Sequence, residues 1–339
     1  MQHKVSVVIP NWNGKKFLPL CLSSLRNQTY ANFEIILVDN NSKDGSVELV
    51  AQNFPEVIIV TNKVNRGFAG GVNDGIHRAC NDSKYIVVLN NDTKADSKWL
   101  EKLVEGAERQ WNIGMCASKV LKFDKASIID SAGLAIYRDL DGFRRGRGRT
   151  DTAEFDTMKE VFGPVGSAAL YRKSMLDEIG LFDEDFFAYV EDIELAWRAR
   201  LAGWKCMYIP TSVIYHVHSG TLGEDSPKIL YYKARNKFYM IFKLFNMWTT
   251  IKSFFYYNIR FIIVAVKIKK RNNSPTQLLE YPVLMKSFAI MRGTFDAFKS
   301  ISKFRKKGEK FRYSFTFSDG RVETLIEEFK VDEKDLIPA

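Results

Sequence analysis

The sequence predicts an α/β protein: a mostly parallel, doubly wound sheet with helices on both faces, followed by a helical C-terminal region. Three observations carry this. Short apolar, β-rich runs alternate with helical patterns through the first part of the chain. The links between them are short, which suits a parallel sheet wound through crossover helices. After about Pro227 the chain turns aromatic, basic and helical in pattern.

Taken in order, Val5–Ile9 (VSVVI) reads as a buried strand and Phe17–Gln28 as a helix that tolerates Pro19 in its first turn. Glu34–Val38 (EIILV) is a second strand. Asn41–Phe54 continues as a helix with Ser42 as its expected N-cap. Val57–Thr61 and Tyr85–Leu89 are a third and fourth strand, and Gly67–Cys80 between them is a glycine-rich turn entering a helix. Ile128–Asp156 is polar and rich in Arg and Gly, so a long surface loop or flap is expected. Order resumes over Glu160–Phe187 as strands and a short helix that Gly180 stops. A further helix starts at Asp192 and ends near Gly203, with Ile193, Ala196, Trp197 and Leu201 as its buried stripe. Met207–Thr221 is extended. Phe311–Phe329 is expected to form a small hairpin and a helix. The division expected is residues 1–226 as the α/β domain and 227–339 as a basic, aromatic helical region.

The chain has 339 residues and a formal net charge of +10, so anionic partners are expected. Most of the excess lies after Pro227. Lys and Arg interleave there with Phe, Tyr and Trp, which reads as a surface facing a membrane rather than a helical domain packed on itself. The apolar run Phe261–Val266 is too short to span a bilayer, which needs about 20 apolar residues. Four scattered cysteines suggest neither a disulfide framework nor a zinc site. The N-terminus runs straight into a strand, so no signal peptide is expected, and the location expected is cytoplasmic and peripheral on the inner membrane surface.

In doubly wound sheets ligands sit outside the carboxyl ends of the strands. The polar candidates fall there: Pro10, Asn11 and Asn13; Asp39; and Asn90, Asn91 and Asp92. A strand-end carboxylate such as Asp92 can hold a divalent cation on a diphosphate, since Mg²⁺ commonly takes one or two carboxylates plus phosphate oxygens. Taken alone, Asn and Asp at a strand end are also ordinary turn formers. Asp39 could accept the imide N–H of uracil or thymine. Glu191 and Asp192 open a helix, where acidic residues are favoured by the dipole in any case; the functional reading makes Asp192 a general base, with Glu191 beside it. His216 and His218 are two apart in extended chain and share a face, so they can ligate a metal or touch phosphate. The glycines of NRGFAGGVNDG follow the third strand with the wrong spacing for a dinucleotide fingerprint.

Six ordered blocks, VSVVIPNWNG, EIILVDNNSKDGS, NRGFAGGVNDGI, YIVVLNNDT, the stretch from GSAALYRK to LAGW, and YHVHSGT, resemble the inverting family-two glycosyltransferases of GT-A fold, especially the rhamnosyltransferase-like branch. The resemblance covers roughly residues 4–222. It implies a Rossmann-like catalytic domain in which Pro10, Asn11, Asn13 and Asp39 line the base and ribose pocket. Asn65, Gly67, Phe68 and Asn73 would shape the floor near the diphosphate, and Gly166, Ser167 and Ala168 would border the sugar. Asp92 would ligate Mg²⁺ or Mn²⁺ as the last residue of a DXD-type motif whose first position here is Asn90, with Asn91 between. His216 would lie near the metal, with His218 as second choice, and Asp192 would be the base. The implied donor is a dTDP-sugar, first of all dTDP-rhamnose, or a UDP-sugar. The implied acceptor is a glycan or lipid-linked glycan hydroxyl; no nucleic acid is implied, and an oligomer stays open. Two rivals are a nucleotidyltransferase, disfavoured because PNWNGKK lacks its basic glycine loop, and a non-catalytic basic membrane-binding scaffold.

Overall fold

The computed structural model describes residues 2–217, 226–271, 283–315 and 319–331, with backbone only at 261–271, 283 and 319. The chain forms two compact units. One comprises Met1–Ala135, Phe143–Ser219 and Val331–Ala339; the other comprises Ile136–Gly142 and Gly220–Lys330.

Among the described residues, the first unit is built on a ten-stranded sheet. Its elements begin with β1 (Val5–Asn11), α1 (Leu18–Arg26), β2 (Phe33–Asp39), α2 (Ser46–Asn53), β3 (Ile58–Thr61), α3 (Gly67–Arg78) and β4 (Tyr85–Leu89). There follow β5 (Thr93–Ala95), α4 (Trp99–Glu108), β6 (Ile113–Lys122), β7 (Ile129–Ser131), β8 (Leu134–Ile136), β9 (Gly142–Arg144) and β10 (Lys159–Glu160). The last are β11 (Ala168–Arg172), α5 (Lys173–Ile179), α6 (Glu191–Leu201) and β12 (Lys205–His216). The strand order is β10-β12-β6-β11-β4-β1-β2-β3, with β5 on β12 and β7 on β6, and β8 and β9 form a separate two-stranded sheet.

The expected parallel winding holds from β3 to β4, where β1 pairs parallel with β2 and with β4. It fails at β11, which runs antiparallel to both β4 and β6, so the sheet is mixed. Val5–Ile9 and Tyr85–Leu89 are buried along their whole length, as is Ala168–Arg172. A strand covered on both faces reads as a continuous apolar run whichever way it points, so pattern reports burial and not direction.

Three local expectations are corrected. The N-cap of α2 is Gly45 at φ +78°, not Ser42; the Ser42 hydroxyl instead accepts from Asn11 and Asn13. Ile128–Asp156 is not a surface loop: it supplies β7, β8, β9 and a 3₁₀ turn at Ala153–Phe155, and Ile129, Asp130, Ser131 and Phe155 are fully buried. Its arginines look solvated in the sequence but pack across rings. Arg145 lies over Phe155 and Tyr208, and Arg149 over Phe155 while pairing with Glu154. Finally, α6 is not amphipathic. Ile193 is only half-buried, whereas Glu194, Arg198 and Arg200 are buried. Arg198 pairs with Glu194 at 2.9 Å and donates to the carbonyls of Ile179, Gly180 and Leu181; Arg200 donates to that of Phe162. Both are structural cations, and Arg198 satisfies the carbonyls where α5 ends at Gly180 (φ +85°), the stop expected from sequence.

The second unit carries α7 (Pro227–Leu244), α8 (Met247–Arg271), α9 (Val283–Lys299), α10 (Ile301–Ser314) and α11 (Asp319–Phe329). Small residues let these helices approach: a Cβ on Gly293 of α9 would sit 2.4 Å from the Tyr231 carbonyl of α7, and one on Gly308 of α10 would strike the Lys243 carbonyl. Tyr239 and Phe304 stack at 3.8 Å. Buried Lys237 pairs with Asp139 at 2.6 Å, and Arg260 reaches Asp139 and Asp141. The hairpin expected near Phe311 is instead the last turn of α10, and residues 316–318 lie outside the described chain. Among the described residues no helix is long and apolar enough to cross a membrane.

Candidate functional site

The carboxyl ends of β1, β2 and β4 lie side by side because those strands pair in parallel register, with Asn11 opposite Asp39. There the predicted polar residues form one network. Asn11 Nδ2 donates to Asp39 Oδ1 at 3.0 Å and to Ser42 Oγ at 3.2 Å, and Asn91 Nδ2 donates to Asn11 Oδ1 at 2.7 Å. The Asn13 amide, at φ 51°, donates to Ser42 Oγ, and the Ser42 amide donates to Asp39 Oδ2. This is why Ser42 does not cap α2. Pro10 precedes Asn11 on the same strand end.

The second cluster collects where β4 meets β11. Antiparallel pairing of Leu89 with Ala168 sets Asn90–Asp92 beside Gly166 and Ser167, and the Asn90 amide donates to the Ser167 carbonyl at 2.9 Å. His216 ends β12 opposite Thr93 of β5, which brings its Nε2 to 3.1 Å from Asp92 Oδ1. Its other nitrogen, Nδ1, faces Asp130 Oδ2 at 3.2 Å. Burial alone would depress His216, but the two carboxylates outweigh it and its pKa is raised. His218 lies outside the described residues.

Asp192, the second residue of α6, is aimed by the chain behind it. Its Oδ2 accepts the Gly166 amide at 3.0 Å and its Oδ1 accepts its neighbour Ile193 at 2.9 Å. The backbone leading into this position is left-handed at Phe187, Tyr189 and Val190 (φ 65°, 71° and 74°). Each such residue costs about 1–3 kcal/mol, and a β-branched one is a marked outlier. The segment is held from α3: Asn73 donates to the Phe182 carbonyl and accepts the Phe182 amide, and the Ala69 amide donates to the Phe187 carbonyl. Gly67 (φ +71°) has no room for a Cβ, which would meet that same carbonyl at 2.3 Å. Its own amide donates to Asn65 Oδ1. Thus Asn65, Gly67 and Asn73 shape and support the strained turn, while the Phe68 ring lies beside Gly166.

Burial pushes the Asp192 carboxyl up, against the Gly166 amide and the Arg144 charge, which pull it down. Glu191 is raised well above the carboxylate range, first by burial and then by Asp192. Three polar atoms of β11, the residue before it and the start of α6 are buried without a protein partner: Tyr171 Oη, Ser167 Oγ and Glu191 Oε2. Native interiors rarely leave such atoms unpaired away from functional sites.

Sequence reasoning missed Asp130 and Arg144. Asp130 is fully buried and binds both His216 and Arg144, the latter at 3.1 Å, and the Arg144 charge reaches Asp192. The Arg-rich stretch did signal cations, but nothing in it separates Arg144 from the arginines that pack on rings.

For a divalent cation, the residues present fit. A carboxylate and an imidazole adjoin at Asp92 and His216, and a second carboxylate, Asp130, backs the imidazole, the usual outer partner of a metal-bound histidine. Among the described residues no group of three or more His, Cys, Asp or Glu side chains is placed to hold a metal ion by itself.

Comparison with known proteins identifies the family and the fold. The family described as Glycosyl transferase family 2 matches residues 6–180. N-acetylglucosaminyl-diphospho-decaprenol L-rhamnosyltransferase of Mycobacterium tuberculosis is 25% identical over 245 residues, 66% of this chain and 80% of that protein. Poly-beta-1,6-N-acetyl-D-glucosamine synthase of Staphylococcus aureus is 26% identical over 221 residues, 65% of this chain but only 51% of the synthase. Among solved structures, GalNAc-T7 with UDP, GalNAc and Mn²⁺ superposes with a TM-score of 0.62 at 15% identity, covering 89% of this chain and 57% of that one. The mannosyltransferase PcManGT of Pyrobaculum calidifontis, in complex with GDP-Man and Mn²⁺, gives 0.52 at 13% identity, covering 98% and 89%. At these identities the structural likeness speaks for the fold, and the mixed sheet with its helices is consistent with GT-A.

Proposed function

The chain belongs to glycosyl transferase family 2, and we propose that it transfers a sugar, with inversion, from a nucleoside-diphosphate donor to a hydroxyl of a glycan or lipid-linked glycan. The observation that carries this is the Gly166 amide bonded to Asp192 Oδ2 at 3.0 Å, which fixes a half-buried carboxylate where β11 begins, beside Asn90–Asp92 at the end of β4. Asp192 takes the acceptor hydroxyl proton. The acceptor oxygen bonds to the anomeric carbon from one side as the bond to the diphosphate oxygen breaks on the other. A carboxyl raised by burial holds a proton more readily than an ordinary Asp, which suits a base working near neutral pH.

Asn11, Asn13, Asp39 and Pro10 hold the base and ribose end of the donor. Asp39 keeps its carboxylate turned to the strand ends through Asn11 and Ser42. Asp92 and His216 would hold Mg²⁺ or Mn²⁺, which supplies Lewis-acid stabilisation of the departing diphosphate. Asp130 is a positioning residue: it sets the ring plane of His216 and anchors Arg144, a cation whose charge tempers the base. Glu191, with an oxygen unpaired inside the site, contacts the acceptor.

The first-choice donor is dTDP-rhamnose, supported by the similarity to the mycobacterial rhamnosyltransferase; a UDP-sugar is the alternative. A nucleotide-sugar panel read by thermal shift, with and without Mn²⁺, tests this. We expect stabilisation by a thymidine or uridine diphosphate that Asp92→Ala weakens. Stabilisation by adenine nucleotides alone refutes the assignment.

A further inference from the structure

Helices α8 and α9 of the second unit are inside out for water. On α9, the residues turned into the protein are small: Ala289, Gly293 and Ala297, at four-residue spacing. Those turned outward are large and apolar: Leu284 (83% exposed), Phe288 (66%), Met291 (69%) and Phe295 (61%). Their spacing of four, three and four places all of them on one stripe. The described part of α8 repeats the arrangement. Thr249 and Ser253 are buried, and Ser253 Oγ donates to the Asp139 carbonyl, while Trp248, Ile251 and Phe255 are exposed. A helix in water buries its large side chains and exposes the rest; these two do the reverse.

Charge marks the borders of the stripe. Lys299 stands four residues after Phe295, its Nζ 4.4 Å from that ring's centre, and Arg292, 67% exposed, lies over the Tyr231 ring with Asp296 3.9 Å from its Nε. A hollow of about 610 Å³ opens alongside, lined by Lys228, Tyr231, Tyr232, Leu284, Phe288 and Arg292 among others. Through residues 227–339, Lys and Arg outnumber Asp and Glu by more than two to one. A face meant for a second protein chain would thin its charges and above all its lysines. Apolar rings edged by Lys and Arg fit a bilayer interface, with rings at the acyl boundary and cations at anionic headgroups.

We propose that the exposed faces of α8 and α9 dock the protein on an anionic phospholipid bilayer, lying in its surface, with the Lys228–Arg292 hollow taking a lipid phosphate. The inference rests on these helix faces and is independent of the transfer reading above.

The test uses the full chain and vesicles of phosphatidylcholine, with and without phosphatidylglycerol. The wild type is expected to sediment with the anionic vesicles and to release with salt. Phe288→Glu with Phe295→Glu should weaken partitioning by about a hundredfold or more, since each buried ring contributes about tenfold or better. Arg292→Glu with Lys299→Glu should cut the preference for anionic over neutral vesicles by at least about tenfold. Both variants should keep the wild-type melting temperature and their transfer to a water-soluble acceptor. Undiminished binding by the phenylalanine variant overturns the proposal. So does a wild type that ignores vesicles and runs as a dimer which the variant breaks, for then the face joins two copies of the chain.

Discussion

At the ends of β1 and β2 the polar side chains satisfy one another: Asn11, Asp39, Ser42 and Asn91 are joined by hydrogen bonds of 2.7–3.2 Å. Around β11 and the start of α6 the reverse holds. Glu191 Oε2, Ser167 Oγ and Tyr171 Oη are buried and unpaired, and three non-glycine residues just before α6 are left-handed. The first region is preorganised by these bonds, and its left-handed residues, Asn13 and Asn41 (φ 51° and 62°), are asparagines, which tolerate that conformation better than the Phe, Tyr and Val of the second. The second stores unsatisfied groups and backbone strain around the proposed base. The contrast fits the division of work proposed above: a donor end whose polar groups are already paired, and an acceptor end whose unpaired groups would find partners in the substrate.

The sharpest way to break this contrast is Asp192→Asn. We expect kcat to fall by about 10²–10⁴-fold, with donor binding and melting temperature kept. Release of nucleoside diphosphate and a thermal shift with donor measure the two halves. In the wild type, the acid limb of kcat should lie above the range of an ordinary aspartate, because burial raises Asp192.

Next in size is Asp130→Asn. Loss of the carboxylate behind His216 should weaken Mn²⁺ affinity by about 10–100-fold, measured by titration of the Mn²⁺ EPR signal on the resting protein. Asp192→Asn should leave that affinity alone. If both variants lose Mn²⁺ equally, the two regions are not separate in function.

On the donor side, Asn11→Ala removes a donor to Asp39 and an acceptor from Asn91. It should cost about 1–3 kcal/mol in denaturant unfolding and raise the donor KM more than it lowers kcat.

The smallest effect, opposite in sign, is expected at Glu191. Its carboxyl is raised in the folded state, so the native protein keeps that proton to higher pH than the unfolded chain does. The stability this confers is complete below the unfolded carboxylate range and is lost as pH rises through the folded value. Glu191→Gln does not titrate, so it should be more stable than wild type near neutral pH, by about 1 kcal/mol, and should lose the advantage in acid. Unfolding curves at both ends of the range decide it. A destabilised glutamine variant at neutral pH would mean Glu191 is satisfied in solution.

Much of the donor region is legible in the sequence. Strand ends are marked by apolar runs stopping at polar residues, so Asn11, Asp39 and Asn90–Asp92 can be placed from residue pattern alone. The other region is legible only in part. Asp192 stands out because an acidic pair opens a helix, but Asp130 sits in a stretch whose arginines look solvated. The fully buried Arg198 likewise gives no sign that it serves the carbonyls at the end of α5.

Sequence by itself determined the alternating strands and helices, the glycine stop at Gly180, the polar strand ends and the change of character after Pro227, because these depend on the local order of residue types. Tertiary structure alone decided that β11 runs against its neighbours, that His216 stands between Asp92 and Asp130, and that α9 turns its small residues inward. Each of these depends on which distant segments meet, and local pattern records how much surface a residue must bury without recording against what.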